Sequence, residues 1–271
     1  MLRRIGVVGY GRVGQYLARE IQAHPDLELA FVWNRTASAI PAGLPRLDSL
    51  DDIADAGADL IAEMAHPSIS KQYATTFLQH ADYMAGSPTA FADRELETAI
   101  QEAAAIPNGH GVYVPKGALP GMGDVLEMAA DGRLHSASIT MRKEPTSLKW
   151  YGPLDRPLAE ITQATEIFRG TVRELCPLAP NNVNTMAILA LASGLGLDAV
   201  EARFVVDPAL TDHIVEVELR GPPREDGSLY RLQMRRINPA AKGAVTGSAT
   251  YRSFFNSLLR SHGAGDGMHF R

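Results

Sequence analysis

Gly9, Gly11 and Gly14 stand in the spacing Gly-x-Gly-x-x-Gly, directly after the apolar run Arg4-Ile-Gly-Val-Val. A helical pattern follows (Val13, Leu17, Ile21), and then a second apolar run from Leu27 to Trp33. Strand, glycine turn, helix and strand in this order form a unit that holds the pyrophosphate of a dinucleotide. Gly9 supplies the tight turn, Gly11 lets backbone approach the phosphates, and Gly14 lets helix and strand pack closely. Arg12 and Val13 open the helix, whose free N–H groups and positive dipole end face the same anion. A glycine-rich turn that binds nothing is the plain alternative. The second strand ends in Asn34-Arg35-Thr36, without the acidic residue that commonly receives the adenosine ribose of NAD. Arg35 would pair with a 2′-phosphate, and Asn34 and Thr36 can hydrogen-bond either sugar. The expected cofactor is therefore NADP or NAD, with NADP favoured.

The residues able to move a proton are fewer. His213 begins the alternating run His213-Ile-Val-Glu-Val-Glu-Leu, and an imidazole titrates where it can exchange a proton with an amine or a carbonyl. Asp212 precedes it, but neighbours on a strand point to opposite faces. His66, in Ala65-His66-Pro67, is the rival; a helix-start role is its ordinary alternative, as a surface strand end is for His213. Lys116 and the pair Arg142-Lys143 are candidate carboxylate clamps, or simply solvated. Ala118 would expose backbone to a nicotinamide. Asn181, Asn182 and Asn184 crowd one helix start. Asparagine caps helices, yet three within four residues exceed that need, and their amides suit a carboxamide or a carboxylate.

These residues need a scaffold, and the chain alternates as a parallel α/β sheet does. Asp59–Met64 reads as a strand after a loop-like acidic stretch, Ser68–His80 as a helix capped by Ser68, and Asp82–Ala85 as a strand. A helix over Asp93–Ala105 and a strand over Gly111–Val114 complete the series. Gly9–Gly14, Asn34-Arg35, Ala65-His66-Pro67 and Gly86-Ser87-Pro88 then all fall at the carboxyl edge, where such sheets bind ligands. Ala65, His66 and Ser87 join the expected cofactor contacts on that ground. Beyond residue 134 strands dominate: Leu134–Lys143, Ala202–Val206, His213–Leu219 and Leu229–Ile237, with turns at Gly221-Pro222-Pro223 and Asp226-Gly227. A single apolar helix lies within Leu178–Ser193. Thr250–Arg260 reads as a closing helix that returns to the first domain, and the glycine-containing tail Ser261–Arg271 as frayed. The expected architecture is an N-terminal Rossmann domain, a doubly wound parallel sheet, over residues 1–115 plus about 238–271. An α+β substrate and dimerisation domain takes residues 116–237.

Composition narrows the partners. The 271 residues suffice for two domains, and a net charge of −5 without long charged runs argues against nucleic acid or a polybasic membrane patch. The one cysteine, Cys176, permits neither an intrachain disulfide nor a cysteine-based zinc cluster, and no metal is expected. The longest apolar run, Met186–Ala192, is far too short to span a bilayer. The first residues already enter a strand, so the expected compartment is the cytosol.

Taken together, the glycine turn, Ala65-His66-Pro67, Gly86-Ser87-Pro88-Thr89, Val114-Pro115-Lys116-Gly117-Ala118 and Pro180-Asn181-Asn182-Val183-Asn184 resemble the L-aspartate dehydrogenase family. Asp207-Pro208 with Asp212-His213, and Asn238-Pro239, extend the resemblance over nearly the whole chain. It implies NAD(P)-dependent oxidation of L-aspartate through iminoaspartate to oxaloacetate and ammonia. It also implies a catalytic His213, cofactor contacts at Ala118, Asn182 and Asn184, and a dicarboxylic amino-acid substrate; the apolar strands of the second domain suggest a homodimer formed through its sheet. Arg142-Lys143-Glu144-Pro145 departs from the Lys-Pro-Pro-like segment expected there, since Glu144 adds an anion. Another small Rossmann reductase of a keto acid, imino acid or semialdehyde, or an inactive NADP-binding protein, is the alternative reading.

Overall fold

A computed structural model describes residues 2–240, 242–243 and 247–271, with backbone alone for Ser248. In chain order the first elements are β1 (Arg3–Val8), α1 (Arg12–Ala23), β2 (Leu27–Trp33), β3 (Leu60–Glu63), α2 (Pro67–His80), β4 (Asp82–Ala85), α3 (Arg94–Ala104) and β5 (Val112–Val114). There follow α4 (Met122–Ala130), β6 (Ser136–Lys143), β7 (Thr165–Thr171), α5 (Val172–Leu175), α6 (Asn184–Ala192), β8 (Glu201–Val206), β9 (Asp212–Pro223) and β10 (Leu229–Pro239). The chain closes with α7 (Ser248–Arg260) and β11 (Met268–Phe270). Two compact units result: Met1–Pro115 with Tyr251–Arg271, and Lys116–Thr250.

The first unit is built on a six-stranded parallel sheet of order β11-β5-β4-β3-β1-β2. From β1 the chain winds outward to β2 on one side and to β3, β4 and β5 on the other, the doubly wound order expected. Strands covered on both faces need side chains that tolerate full burial; all four residues of β3 are buried. Helix α1 buries Gly14, Leu17, Ala18 and Ile21, one stripe at helical spacing. Phe254, Phe255 and Leu258 of α7 join the same core as Ile5, Val7 and Leu17, so the closing helix does return to this unit.

Three local features differ from the sequence reading. Helix α2 starts at Pro67 with His66 as its N-cap, rather than being capped by Ser68; proline's missing N–H costs nothing in the first turn. The acidic stretch forms a short 3₁₀ helix, Leu50–Asp55, whose cap Ser49 accepts the N–H of Asp51. The tail is not frayed: Met268–Phe270 pairs in parallel with Val112–Val114, and Ser257 Oγ donates to the Arg271 carbonyl at 2.6 Å. A three-residue strand among glycines carries too little periodicity to be read from sequence.

The second unit is built on a mixed five-stranded sheet of order β10-β9-β6-β8-β7. Strand β6 lies parallel to β8 and antiparallel to β9. One face is apolar: Ile139 pairs with Ala202 and Val217, and Met141 with Phe204 and Val215. Helix α6 is apolar all round and buries Thr185, Met186, Ala187, Ile188, Leu189, Ala190 and Ala192. The sequence reading lacked α4, α5 and β7. It also placed a turn at Gly221-Pro222-Pro223, which the structure corrects: β9 runs on to Pro223, and the reversal comes at Arg224–Ser228 with Gly227 at φ 78°. Pairing with β6 ends at Arg220, so both prolines lie where no neighbour needs their N–H on that side.

Candidate functional site

In the first unit the carboxyl ends of the strands are tied together by backbone. Gly9 N–H donates to the Trp33 carbonyl, Met64 N–H to Val8 and Gly86 N–H to Glu63, at 2.7, 2.7 and 2.9 Å. The glycine turn, Asn34-Arg35, Ala65-His66 and Ser87 are thereby brought to one edge. Gly9 has φ 103°, and a Cβ there would lie 2.7 Å from Ala65 backbone. A Cβ on Gly14 would lie 1.8 Å from the Gly9 carbonyl oxygen, whereas one on Gly11 meets nothing within 4 Å. Gly9 and Gly14 therefore shape the turn, while Gly11 opens space in front of it. Helix α1 begins there with no side-chain cap and no acidic residue in its first turn, so its N–H groups and dipole remain oriented toward an anion. These features fit the pyrophosphate of a dinucleotide.

The side chains at this edge divide between bracing and contact. Asn34 Oδ1 accepts the Tyr10 N–H and its Nδ2 donates to the Thr36 carbonyl, both at 3.0 Å. Its amide thus braces the glycine turn against the end of β2. Arg35 is exposed beyond β2 and makes no ion pair among the described residues. Its charge reaches His66, whose pKa falls below the ordinary value through burial first and Arg35 second. His66 Nδ1 accepts the Ser68 N–H at 3.2 Å, so this ring serves as a helix cap.

Glu63 is the group the sequence reading passed over. It is fully buried, and its Oε1 accepts the N–H groups of Ala65 and His66 at 2.6 and 2.8 Å. The hydroxyls of Ser87 and Ser70 donate to the same carboxylate at 3.3 and 3.2 Å, and Tyr83 donates to Ser70 at 2.9 Å. Burial pushes its pKa up to about 7 against the pull of these donors. Its signal in the sequence was an acid at the end of an otherwise apolar strand.

In the second unit His213 is 5% exposed, on the same face of β9 as Val215 and Val217. It faces Asn238 across the β9–β10 pair. Asn238 is buried as well, and its Nδ2 donates to Thr250 Oγ1 at 3.4 Å. Met141 pairs with Val215, and both strands continue two residues to Lys143 and His213 on that face. Lys143 is buried, and burial alone pushes its ammonium pKa down to about 7. His213 also lines a cavity of about 270 Å³ with Glu144, Ser147, Pro208, Thr211, Asp212 and Lys242. An imidazole, a buried amine and a carboxamide on one apolar face suit proton exchange beside a bound anion.

The other expected residues are distributed as follows. Arg142 projects to the opposite face of β6 from Lys143 and pairs with Glu216 at 2.9 Å; the two neighbours do not form one clamp. Glu144 caps its own turn, accepting the Thr146 N–H at 3.1 Å. Lys116 is exposed and Ala118 partly so, in a turn closed by Leu119 N–H to the Lys116 carbonyl, with Gly117 at φ 55°. Asn182 is buried, accepting the Lys149 N–H and donating to the Ser147 carbonyl. None of the asparagines is the N-cap of α6, a position taken by Val183, and Asn184 is its first residue. Among the described residues no cluster could hold a metal ion, and no helix is long and apolar enough to cross a membrane.

Comparison with known proteins agrees with both halves. Residues 124–257 match the profile described as aspartate dehydrogenase, C-terminal, and residues 9–115 that of the homoserine dehydrogenase NAD-binding domain. An aspartate dehydrogenase domain-containing protein of Danio rerio is 44% identical over 270 residues, covering 97% of this chain and 96% of the relative. An L-aspartate dehydrogenase of Methanocella arvoryzae is 30% identical, covering 94% of this chain and 98% of its own length. The crystal structure of aspartate dehydrogenase from Thermotoga maritima superposes with a TM-score of 0.71 at 22% identity, covering 96% of this chain and 95% of that one.

Proposed function

Because the chain belongs to the aspartate dehydrogenase family, we propose that it is an NAD(P)-dependent amino-acid dehydrogenase that oxidises L-aspartate to iminoaspartate, which water converts to oxaloacetate and ammonia. The observation that carries the reading is His213, held on the buried face of β9 beside Asn238 and opening on the 270 Å³ cavity. When bound, the nicotinamide supplies the hydride acceptor at its C4. His213 takes the proton that leaves the substrate ammonium, so that the nitrogen lone pair assists loss of hydride from Cα. Addition of water to the imine and expulsion of ammonia then need a proton taken from water and one given to nitrogen, which the same imidazole supplies. Burial disfavours charge on Lys143, and a substrate carboxylate beside it would hold it as the ammonium. Lys116 and Arg142 are weaker candidates, the one exposed and the other already paired with Glu216.

For the cofactor we assign Gly9 to Gly14, with Arg12 and Val13, to the pyrophosphate, and Arg35 to a 2′-phosphate, which favours NADP. Ala65, His66 and Ser87 carry the nicotinamide end of the same edge, positioned by Glu63. Asn34 acts there as a brace. Ala118 and Asn184 are assigned to the nicotinamide, with Asn182 fixing the loop around Ser147. The exposed Tyr230 and Ile237 on edge strand β10 favour a homodimer formed through the second sheet. The single, buried Cys176 accords with the cytosol, which we propose as the compartment. The test is an absorbance screen at the reduced-nicotinamide band, with L-aspartate forward and oxaloacetate plus ammonia in reverse, each with NADP(H) and NAD(H). Turnover of oxaloacetate only with ammonia is expected; binding of NADPH without turnover in either direction would overturn the reading.

A further inference from the structure

The arginines of β6, β9 and β10 sort into two sets. Arg142 and Arg235 pair with Glu216, at 2.9 and 3.3 Å, and Arg220 and Arg231 pair with Glu218. All four lie on the sheet face that carries the acids. Arg236 lies on the other face. It pairs in register with Val215, one rung from the Asn238–His213 pair, and shares its face with Met234 and Asn238. There it is partly buried, makes no ion pair among the described residues, and gives one long hydrogen bond, 3.5 Å, to the Gly117 carbonyl. Burial lowers its pKa, and among the described residues no carboxylate works against that shift.

Among the described residues four of its five N–H donors have no partner, and a partly desolvated guanidinium gains from meeting an anion. The position restricts which anion. Diagonal neighbours on an antiparallel pair lie about 7–8 Å apart, so Arg236 stands one short side chain away from His213. Lys143 stands closer, at the same level of the face as His213. A four-carbon dicarboxylate reacting at its α-carbon beside His213 places one carboxylate next to the reacting carbon and the other a bond further on. The nearer suits Lys143 and the farther suits Arg236. We propose that Arg236 binds the side-chain carboxylate of the substrate and sets the preference for dicarboxylic over monocarboxylic acids. This rests on the reading of the same site as an amino-acid dehydrogenase.

The test compares wild type, Arg236→Gln and Arg236→Lys, each loaded with NADPH. Steady-state rates are measured with oxaloacetate plus ammonia and pyruvate plus ammonia, and succinate binding by calorimetry. Loss of a charge-assisted pair predicts a rise of roughly 10- to 100-fold in the oxaloacetate KM and a similar weakening of succinate in Arg236→Gln. Little change in kcat, partial recovery in Arg236→Lys, an NADPH Kd within about twofold and a collapsed oxaloacetate-to-pyruvate preference complete the expectation. Unchanged oxaloacetate KM and succinate affinity overturn it, as does a selective rise in the NADPH Kd, which would assign Arg236 to the cofactor. If His213→Asn also leaves wild-type turnover intact, the dehydrogenase mechanism fails too; if that variant is inactive, only the role of Arg236 falls.

Discussion

The carboxylate of Glu63 accepts the backbone N–H of His66 at 2.8 Å, so a fully buried acid fixes the loop that carries the rival histidine. The acid also holds Ala65, Ser70 and Ser87. One side chain thereby sets the relative positions of two segments at the edge where the dinucleotide is assigned. Glu63→Ala strands two N–H groups and two hydroxyls. It should cost roughly 3–5 kcal/mol in urea unfolding and weaken NADPH binding.

Glu63→Gln separates charge from shape. The native pKa, about 7, exceeds the ordinary 4.5, so the folded state keeps a proton that the unfolded chain has released. The contribution of this group to stability is full below pH 4.5, is lost as pH rises through about 7, and is level above, a change on the order of 3 kcal/mol. The stability of Glu63→Gln relative to wild type should therefore rise across that window. A difference that stays flat with pH would show that the acid is ionised throughout.

Lys143 gives the opposite sign. Burial lowers its pKa from 10.5 to about 7, so its contribution is full above pH 10.5 and is lost as pH falls through about 7. Lys143→Met should gain most over wild type near pH 7 and least near pH 10, while raising the KM for L-aspartate. A gain with no change in KM would make Lys143 a buried structural residue.

Gly11→Val tests the phosphate cradle. The backbone there, φ −75° and ψ −169°, suits any residue, and a Cβ meets nothing within 4 Å. The variant should melt like wild type yet lose dinucleotide binding, because the branched side chain fills the space assigned to the pyrophosphate. Gly14→Ala should instead fail to fold properly. Wild-type NADPH affinity in Gly11→Val would mean that the turn binds nothing.

Arg35→Asp should move the NADP-to-NAD preference toward NAD, since a lost charge-assisted pair is worth roughly 1.5–3 kcal/mol. An unmoved ratio of dissociation constants would leave Arg35 a solvated bystander.

The sheet of the first unit was legible because its strands are short, mostly apolar runs between turn residues: Leu27–Trp33 and Asp82–Ala85 were bounded to the residue. Elements whose stability comes from distant partners were not. Met268–Phe270 depends on β5, and Met122–Ala130 follows Gly121, which adopts φ 61° and masks the helix start. Candidates such as Gly11 and His213 could be named from sequence because a single residue type would carry the proposed role. It was hidden where the role depends on what a side chain faces. Arg142 and Arg236 look alike in sequence, yet one meets Glu216 and the other lies on the face of His213. Asn182 looked like a ligand and proves to be tied to Ser147 and Lys149.

The most direct measurement is the turnover of His213→Asn beside His66→Asn, with NADPH affinity measured on both. Asparagine keeps a polar group of similar shape that cannot titrate. His213→Asn should bind NADPH nearly as wild type does and lose about 10²–10⁴-fold in kcat for L-aspartate oxidation, the usual contribution of a positioned acid–base group. His66→Asn should alter cofactor binding more than turnover, because His66 stands at the sheet edge assigned to the dinucleotide. Full turnover in His213→Asn, with turnover lost in His66→Asn, would contradict the account and place the proton transfer in the first unit.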